Sequence, residues 1–166
     1  IRAAEDKRFW SHSGIDHIAI ARAFSVLIIE SLYTLRTGHP HVVFPEGAST
    51  LTQQAVRLVF LRDELEREQK GIASRQDKLI RKVKEMRMAL WLESELEKRL
   101  GSKEAAKQKV FEIYANVSYF GHGRYGMAAA HEFYFGKPIS QVSASDAALL
   151  AGLIRKPGKF SPRLNP

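Results

Sequence analysis

The chain has 166 residues, 45% hydrophobic and 27% charged, with 26 Lys and Arg against 18 Asp and Glu for a net charge of +8. A chain near this length can bury roughly 70% of the surface its unfolded form exposes, which suits one domain with its own core and excludes disorder as the main state. Zero cysteines remove disulfides, thiolate metal sites and cysteine nucleophiles together.

Ile1 is not an initiator residue, no basic and apolar leader opens the chain, and Ser161 to Pro166 is a turn-like stretch, so the sequence reads as part of a longer polypeptide. The most apolar run, Ala23 to Ile29, is broken by Glu30 and falls well short of the roughly 20 apolar residues a spanning helix needs. Any membrane anchor is expected outside these residues.

Apolar spacing through Ile15, Ile18, Ile20, Phe24, Ile28, Leu32 and Leu35 predicts a first helix, capped by Ser13 or Asp16 and stopped at Gly38-His39-Pro40. Val42-Val43-Phe44 reads as a short extended piece. Thr50-Leu51-Thr52-Gln53 fits a capping box, which predicts a sharp helix start at Thr50 and a helix to about Leu61. Residues Arg62 to Lys78 alternate charges around Gly71 and Ser74 and read as a solvated, mobile excursion with some helical content. A long helix carrying Leu79, Ile80, Val83, Met86, Leu90 and Trp91 should end at Gly101, and Ser102 should open another through Val110, Ile113 and Tyr114. Two shorter helices are expected at Met127 to Phe135 and at about Ser143 to Ile154, before Pro157. The expected fold class is mainly α.

Four polar clusters interrupt this periodicity. The first, Glu5 to Gly14, is either a solvated terminus anchored by Phe9 and Trp10 or a carboxylate beside aromatic bodies, where desolvation makes a general base or acid. The six histidines show no metal-ligand pairing, so no dedicated metal site is expected. The second, Gly47 to Gln54, suits helix capping at Thr50 and Gln53, but its glycine, hydroxyls and Arg57 also suit phosphate at a helix N-terminus. It has no Walker lysine. The third, Arg81-Lys82-Val83-Lys84-Glu85, puts Arg81 and Glu85 on one helix face; it is a solvated salt-bridged face or a set of cations for a diphosphate leaving group. The fourth runs through Glu112, Tyr114 and Asn116 into Tyr119-Phe120-Gly121-His122-Gly123-Arg124-Tyr125-Gly126, a close-packing turn or a platform for sugar rings.

In this order the clusters resemble the peptidoglycan glycosyltransferase domain, glycosyltransferase family 51, of class A penicillin-binding proteins and monofunctional transglycosylases. The motif E-D-x-x-F-x-x-H-x-G is met by Glu5, Asp6, Phe9, His12 and Gly14, and G-x-S-T-x-T-Q-Q by Gly47, Ser49, Thr50, Thr52, Gln53 and Gln54. R-K-x-x-E falls on Arg81, Lys82 and Glu85; the last motif falls on Lys107, Glu112, Tyr114, Asn116 and Tyr119 to Gly126. The match covers almost the whole chain. It implies a lysozyme-like helical lobe with a small mobile jaw lobe, placed at about residues 58–80 of a domain spanning 1–166. It also implies polymerisation of lipid II into a growing glycan strand, with inversion and release of undecaprenyl diphosphate at the extracytoplasmic face of the bacterial cytoplasmic membrane.

By the same resemblance Glu5 is the general base and Glu85 the second carboxylate, ordering the diphosphate-side cations or a metal. Substrate contacts are expected from Asp6, Phe9, His12, Ser49, Thr50, Gln53, Gln54, Arg57, Arg81, Lys82, Lys84, Asn116, Tyr119 and Gly121. No cofactor is required, with room left for Mg or Mn. Expected partners are lipid II, the glycan strand, the membrane surface, a fused transpeptidase domain and other cell-wall synthesis proteins, with no nucleic acid. Three positions depart from the family pattern: Leu58 replaces an amide, Asp77 stands where a phosphate-binding arginine is usual, and Asp146 replaces glutamate. The stretch Arg62 to Gln76 is also longer than usual. Two rival readings are a glycan-cleaving lytic transglycosylase, which would have no diphosphate to stabilise, and a non-catalytic basic binding module, which the interleaved carboxylates disfavour.

Overall fold

The computed structural model describes residues 5–37 and 49–164. The expected stop at Gly38-His39-Pro40, the extended piece at Val42-Val43-Phe44, and Gly47 lie outside the described residues. Among those described the fold is helical: α1 His17–Thr37, α2 Leu51–Phe60, α3 Arg62–Gln69, α4 Arg75–Leu100, α5 Lys103–Val117, α6 Met127–Phe135, α7 Ala144–Arg155 and α8 Pro157–Phe160, with a 3₁₀ turn at Ile139–Gln141. Two isolated bridges, Ser13 with Ile15 and Tyr119 with Tyr125, are the extended pairings described.

Helix ends follow local chemistry. Thr50 and Gln53 make the expected capping box at α2, and Ser143 with Asp146 makes another at α7. Asp16 caps α1 by accepting the Ala19 N–H at 2.9 Å while Arg8 grips the same carboxylate through two nitrogens. Helix α4 starts at Arg75, earlier than the apolar spacing suggests, because Ser74 and Asp77 form a third capping box. Asp77 is therefore spent on its own helix start, and the Ser74 hydrogen bonds hold its carboxyl below the usual range. Gly101 and Gly136 close α4 and α6 in the left-handed conformation.

Helices α2, α4 and α5 pack on one another around Phe9, Leu51, Ala55, Val56, Ala89, Leu92, Val110 and Tyr114. A second, smaller core of Phe120, Ala130, Leu150 and Leu153 joins α6 and α7, and Ile154 touches both cores. Apolar spacing points to the wrong side of α4. Leu79, Ile80, Val83, Leu90 and Trp91 are exposed, while Arg81, Glu85, Ala89, Leu92 and Glu93 face inward. Along α1, Ile15 and Ala19 are buried near the start, but Ile18, Phe24, Ile28, Ile29, Leu32 and Leu35 are all more than half exposed.

The Glu5 segment reaches this core through Gly14. Its φ is +82°, and a Cβ there would lie 2.6 Å from the Ala89 carbonyl oxygen of α4. Both the left-handed backbone and this backbone contact demand glycine. Gly14→Ala should destabilise the fold by about 2–4 kcal/mol, combining left-handed strain with overpacking against a rigid helix. The midpoint of urea unfolding measures this, and an unchanged midpoint would remove the close approach as a constraint.

Candidate active site

The carboxylate of Glu5 stands just before the loop that leads to α1, with its side chain 16% exposed. Gln54 donates its amide N–H to Glu5 Oε2 at 3.1 Å, and Arg155 Nε at the end of α7 lies 3.5 Å from Oε1. The Tyr114 hydroxyl donates to the Gln54 carbonyl oxygen at 3.3 Å. Burial and the neighbouring Glu5 push that hydroxyl well above its ordinary value, so Tyr114 stays a donor. One carboxylate is thus fixed by neutral and cationic donors while part of it remains accessible, which is the geometry of a positioned proton acceptor.

Beneath it runs a buried polar chain. Asp6 accepts the Leu51 N–H at 3.0 Å and the His12 Nε2–H at 2.9 Å. Lys107, fully buried, donates to His12 Nδ1 at 3.3 Å and to Glu93 at 2.7 Å, and its ammonium sits 4.5 Å from the Phe9 ring centre. The donation to Nδ1 leaves the imidazole proton on Nε2, where Asp6 accepts it. Burial pushes the Lys107 ammonium below its ordinary value, and Glu93 opposes that shift. Thr52 closes the chain by donating to Glu93. Thr50 donates to the Gly14 carbonyl oxygen at 2.6 Å. Asp6, Phe9, His12, Thr50 and Gln53 are therefore engaged with the chain's own groups, and they fix where Glu5 sits. Asp6 and Thr50 also occupy the N–H groups of Leu51 and Gln53 at the start of α2.

One turn along α2 from Gln54 is Arg57, which faces a second cluster. Glu85 is fully buried and enclosed by three cations: Arg81 Nη1 in direct contact, Lys82 Nζ at 3.3 Å and Arg57 Nε at 4.0 Å. Lys82 also donates to Ser49 Oγ at 2.5 Å, tying the residue before the Thr50 cap of α2 to α4. Burial, then the fields of Arg57 and Arg81, bring the Lys82 ammonium down to about 8. Arg57 is likewise lowered, by burial first and Arg81 second. Three cations share one buried carboxylate here, so the cluster favours an added anion.

The family model described as Transglycosylase matches residues 1–166. The chain belongs to the transglycosylase family. It is 35% identical to penicillin-binding protein 1A of Aquifex aeolicus over 99% of this chain and 18% of that protein, and 35% identical to penicillin-binding protein 1A of Escherichia coli over 96% and 15%. Penicillin-binding protein 1F of Bacillus subtilis is 34% identical over 99% of this chain and 18% of its own length. The chain thus spans less than a fifth of each of these relatives. Its helical architecture is that of the lysozyme-like transglycosylase domain.

Within this transglycosylase domain the remaining expected contacts are dispersed. Lys84 turns away from Glu85 and pairs with Glu64 of α3 at 3.2 Å. Asn116 is exposed, and Tyr119 stacks on Tyr125 at 4.9 Å beside a cavity of about 550 Å³ shared with Leu58 and Leu65. Gly121 is a packing position: a Cβ there would meet the Tyr134 hydroxyl at 3.1 Å and Pro157 at 3.2 Å. Sequence reading missed Arg155 and Glu68 as site-facing groups. Both are single charges whose partners lie far away in the chain, so no local pattern marks them. Among the described residues no cluster of three or more acidic or histidine side chains is arranged to hold a metal.

An anion entering the cluster should stabilise the Lys82 ammonium. Because that group loses its proton near 8 in the empty site, binding of inorganic pyrophosphate should be strongest below that pH and weaken as pH rises from 7 to 9.5. Lys82→Met should bind more weakly at pH 7 and lose most of this slope. Calorimetric titration across the range decides it; an equal slope in Lys82→Met would assign the pH dependence elsewhere.

Proposed function

We propose that this domain is a peptidoglycan glycosyltransferase that polymerises lipid II into glycan strands. The observation that carries the reading is the pairing of a positioned, accessible Glu5, held by Gln54 of α2, with Arg57 one turn along that helix, which joins Arg81 and Lys82 of α4 around Glu85. Family membership and the penicillin-binding relatives supply the chemistry to which that pairing is suited.

In this reading Glu5 removes the proton from the 4-hydroxyl of the acceptor N-acetylglucosamine as the oxygen attacks the anomeric carbon of the donor. The bond from that carbon to undecaprenyl diphosphate breaks with inversion, and Arg57, Arg81 and Lys82 neutralise the departing diphosphate. Glu85 orders those cations. Its surroundings of three cations do not fit a resident Mg or Mn ion, since its oxygens already accept from Arg81 and Lys82, and no step is assigned to a metal. Gln54 and Tyr114 hold Glu5, while Ser49 keeps Lys82 at the start of α2.

The same reading places the domain at the extracytoplasmic face of the cytoplasmic membrane, anchored by a segment outside this chain. The exposed Phe24, Ile28, Ile29, Leu32 and Leu35 of α1 and the net charge of +8 suit contact with an anionic lipid surface. No helix among the described residues is long and apolar enough to cross a membrane. A fused transpeptidase domain and other cell-wall synthesis proteins are the partners this reading assigns, on the strength of the relatives' greater length.

Incubation with lipid II in detergent, using a chain that carries its flanking residues, should yield glycan polymer. Glu5→Gln should reduce the rate by about 10²–10⁴-fold while pyrophosphate binding persists. Cleavage of preformed glycan by the parent, or full polymerisation by Glu5→Gln, would overturn the assignment.

A further inference from the structure

Helix α3 has no fully buried residue. It is moored to α4 by charge. Glu68 Oε2 accepts from Arg81 Nε at 3.0 Å and from Nη2 at 2.7 Å, and its other oxygen lies 3.9 Å from Lys78. Glu64, one turn earlier on the same face, pairs with Lys84. A cavity of about 300 Å³ opens between the two helices beside Arg81 and Lys84, and the larger cavity near Tyr119 flanks the other side of α3. The helix therefore stands between two open spaces.

The fork of Arg81 is fully used in this arrangement. Its Nη1 serves Glu85, and the edge formed by Nε and Nη2 is covered by one Glu68 oxygen. That edge is the one a phosphate oxygen pair would grip. A carboxylate on it reproduces the charge and the acceptor geometry of a phosphate. Glu85 cannot leave without stranding three cations, whereas Glu68 is about a quarter exposed and sits on a helix with little apolar packing to lose.

We infer that Glu68 is an internal competitor for the donor diphosphate: it occupies the phosphate-binding edge of Arg81 in the empty site, and the diphosphate displaces it together with α3. This rests on the diphosphate reading above. Glu68 thereby sets donor affinity without touching the reacting atoms, and the long charged stretch after Leu61 becomes a selectivity element. Anions able to bridge Arg81 and Lys82 displace the helix, while a single weak carboxylate does not.

Calorimetric titration of the chain with inorganic pyrophosphate tests this, using Glu68→Gln and Glu68→Ala with Glu66→Gln as the control. Glu66 lies on the same helix but pairs with Arg62 and Lys70, so the control removes the same charge without freeing Arg81. Both Glu68 variants should bind about tenfold more tightly than the parent, as expected for release of one charge-assisted fork contact, and Glu66→Gln should stay within about twofold. Circular dichroism confirms that each variant is folded. Binding by Glu68→Gln where the parent shows none also supports the inference. Parent binding that Glu68→Gln and Glu68→Ala leave unchanged or weaken would overturn the inference and leave the diphosphate reading intact. Absence of binding in the parent and in every variant would overturn both.

Discussion

A single buried ammonium organises this domain. Lys107 of α5 is fully buried, so its protons must find partners within the protein, and the partners come from two other segments: Glu93 of α4, and His12 with the face of Phe9 in the loop before α1. Through His12 the constraint passes to Asp6 and then to the first N–H of α2, and through Glu93 it passes to Thr52. Each link is a polar group whose desolvation would be costly if its neighbour moved. The loop carrying Glu5 is fixed in this way to the helix carrying Gln54 and Arg57, although some forty residues of chain separate them.

The arrangement divides the motif residues by task. Asp6, His12, Thr50, Thr52 and Gln53 face inward and fix positions, whereas Glu5, Gln54, Arg57 and Lys82 keep some exposed surface. Electrostatics divides along the same line. The inner chain alternates signs and is closed, so it gains little from any added charge. The outer cluster holds three cations around Glu85 and is incompletely neutralised from within, which is the state that favours an arriving anion. The basic character of the whole chain is less informative than this local imbalance, since most of its surface cations are interleaved with carboxylates.

Much of the fold was legible because its signals are local. Capping at Thr50 with Gln53, the stop at Gly101 and the start of α7 at Ser143 each depend on residues within one turn. The inward face of α4 was not legible for the opposite reason. Arg81, Glu85 and Glu93 are charged, so hydropathy assigns them to solvent; the pairing of Arg81 with Glu85 is local and visible in the spacing, but the distant partners Arg57, Thr52 and Lys107 that complete their burial are not. Leu79, Val83 and Trp91 are apolar yet exposed, and periodicity follows them instead. Motif resemblance picked out candidate residues but did not separate those that keep exposed surface from those buried beneath them, because a spacing pattern retains both alike. Glu68 was hidden more completely, as one carboxylate in a run of mixed charge.

The hydrogen bonds around Gln54 have a consequence of their own. A side-chain amide can be turned through half a rotation with little change in shape, but here Tyr114 remains a proton donor and Glu5 offers only acceptor oxygens when ionised. The amide oxygen must face the tyrosine and the nitrogen must face the carboxylate. The sequence Tyr114, Gln54, Glu5 is therefore a chain of donors with one direction, ending on Glu5 Oε2. Such a chain polarises toward its end, so the tyrosine hydroxyl strengthens the hold of the amide on the carboxylate without touching it. A neutral neighbour thus transmits the position of a buried tyrosine to the Glu5 carboxylate.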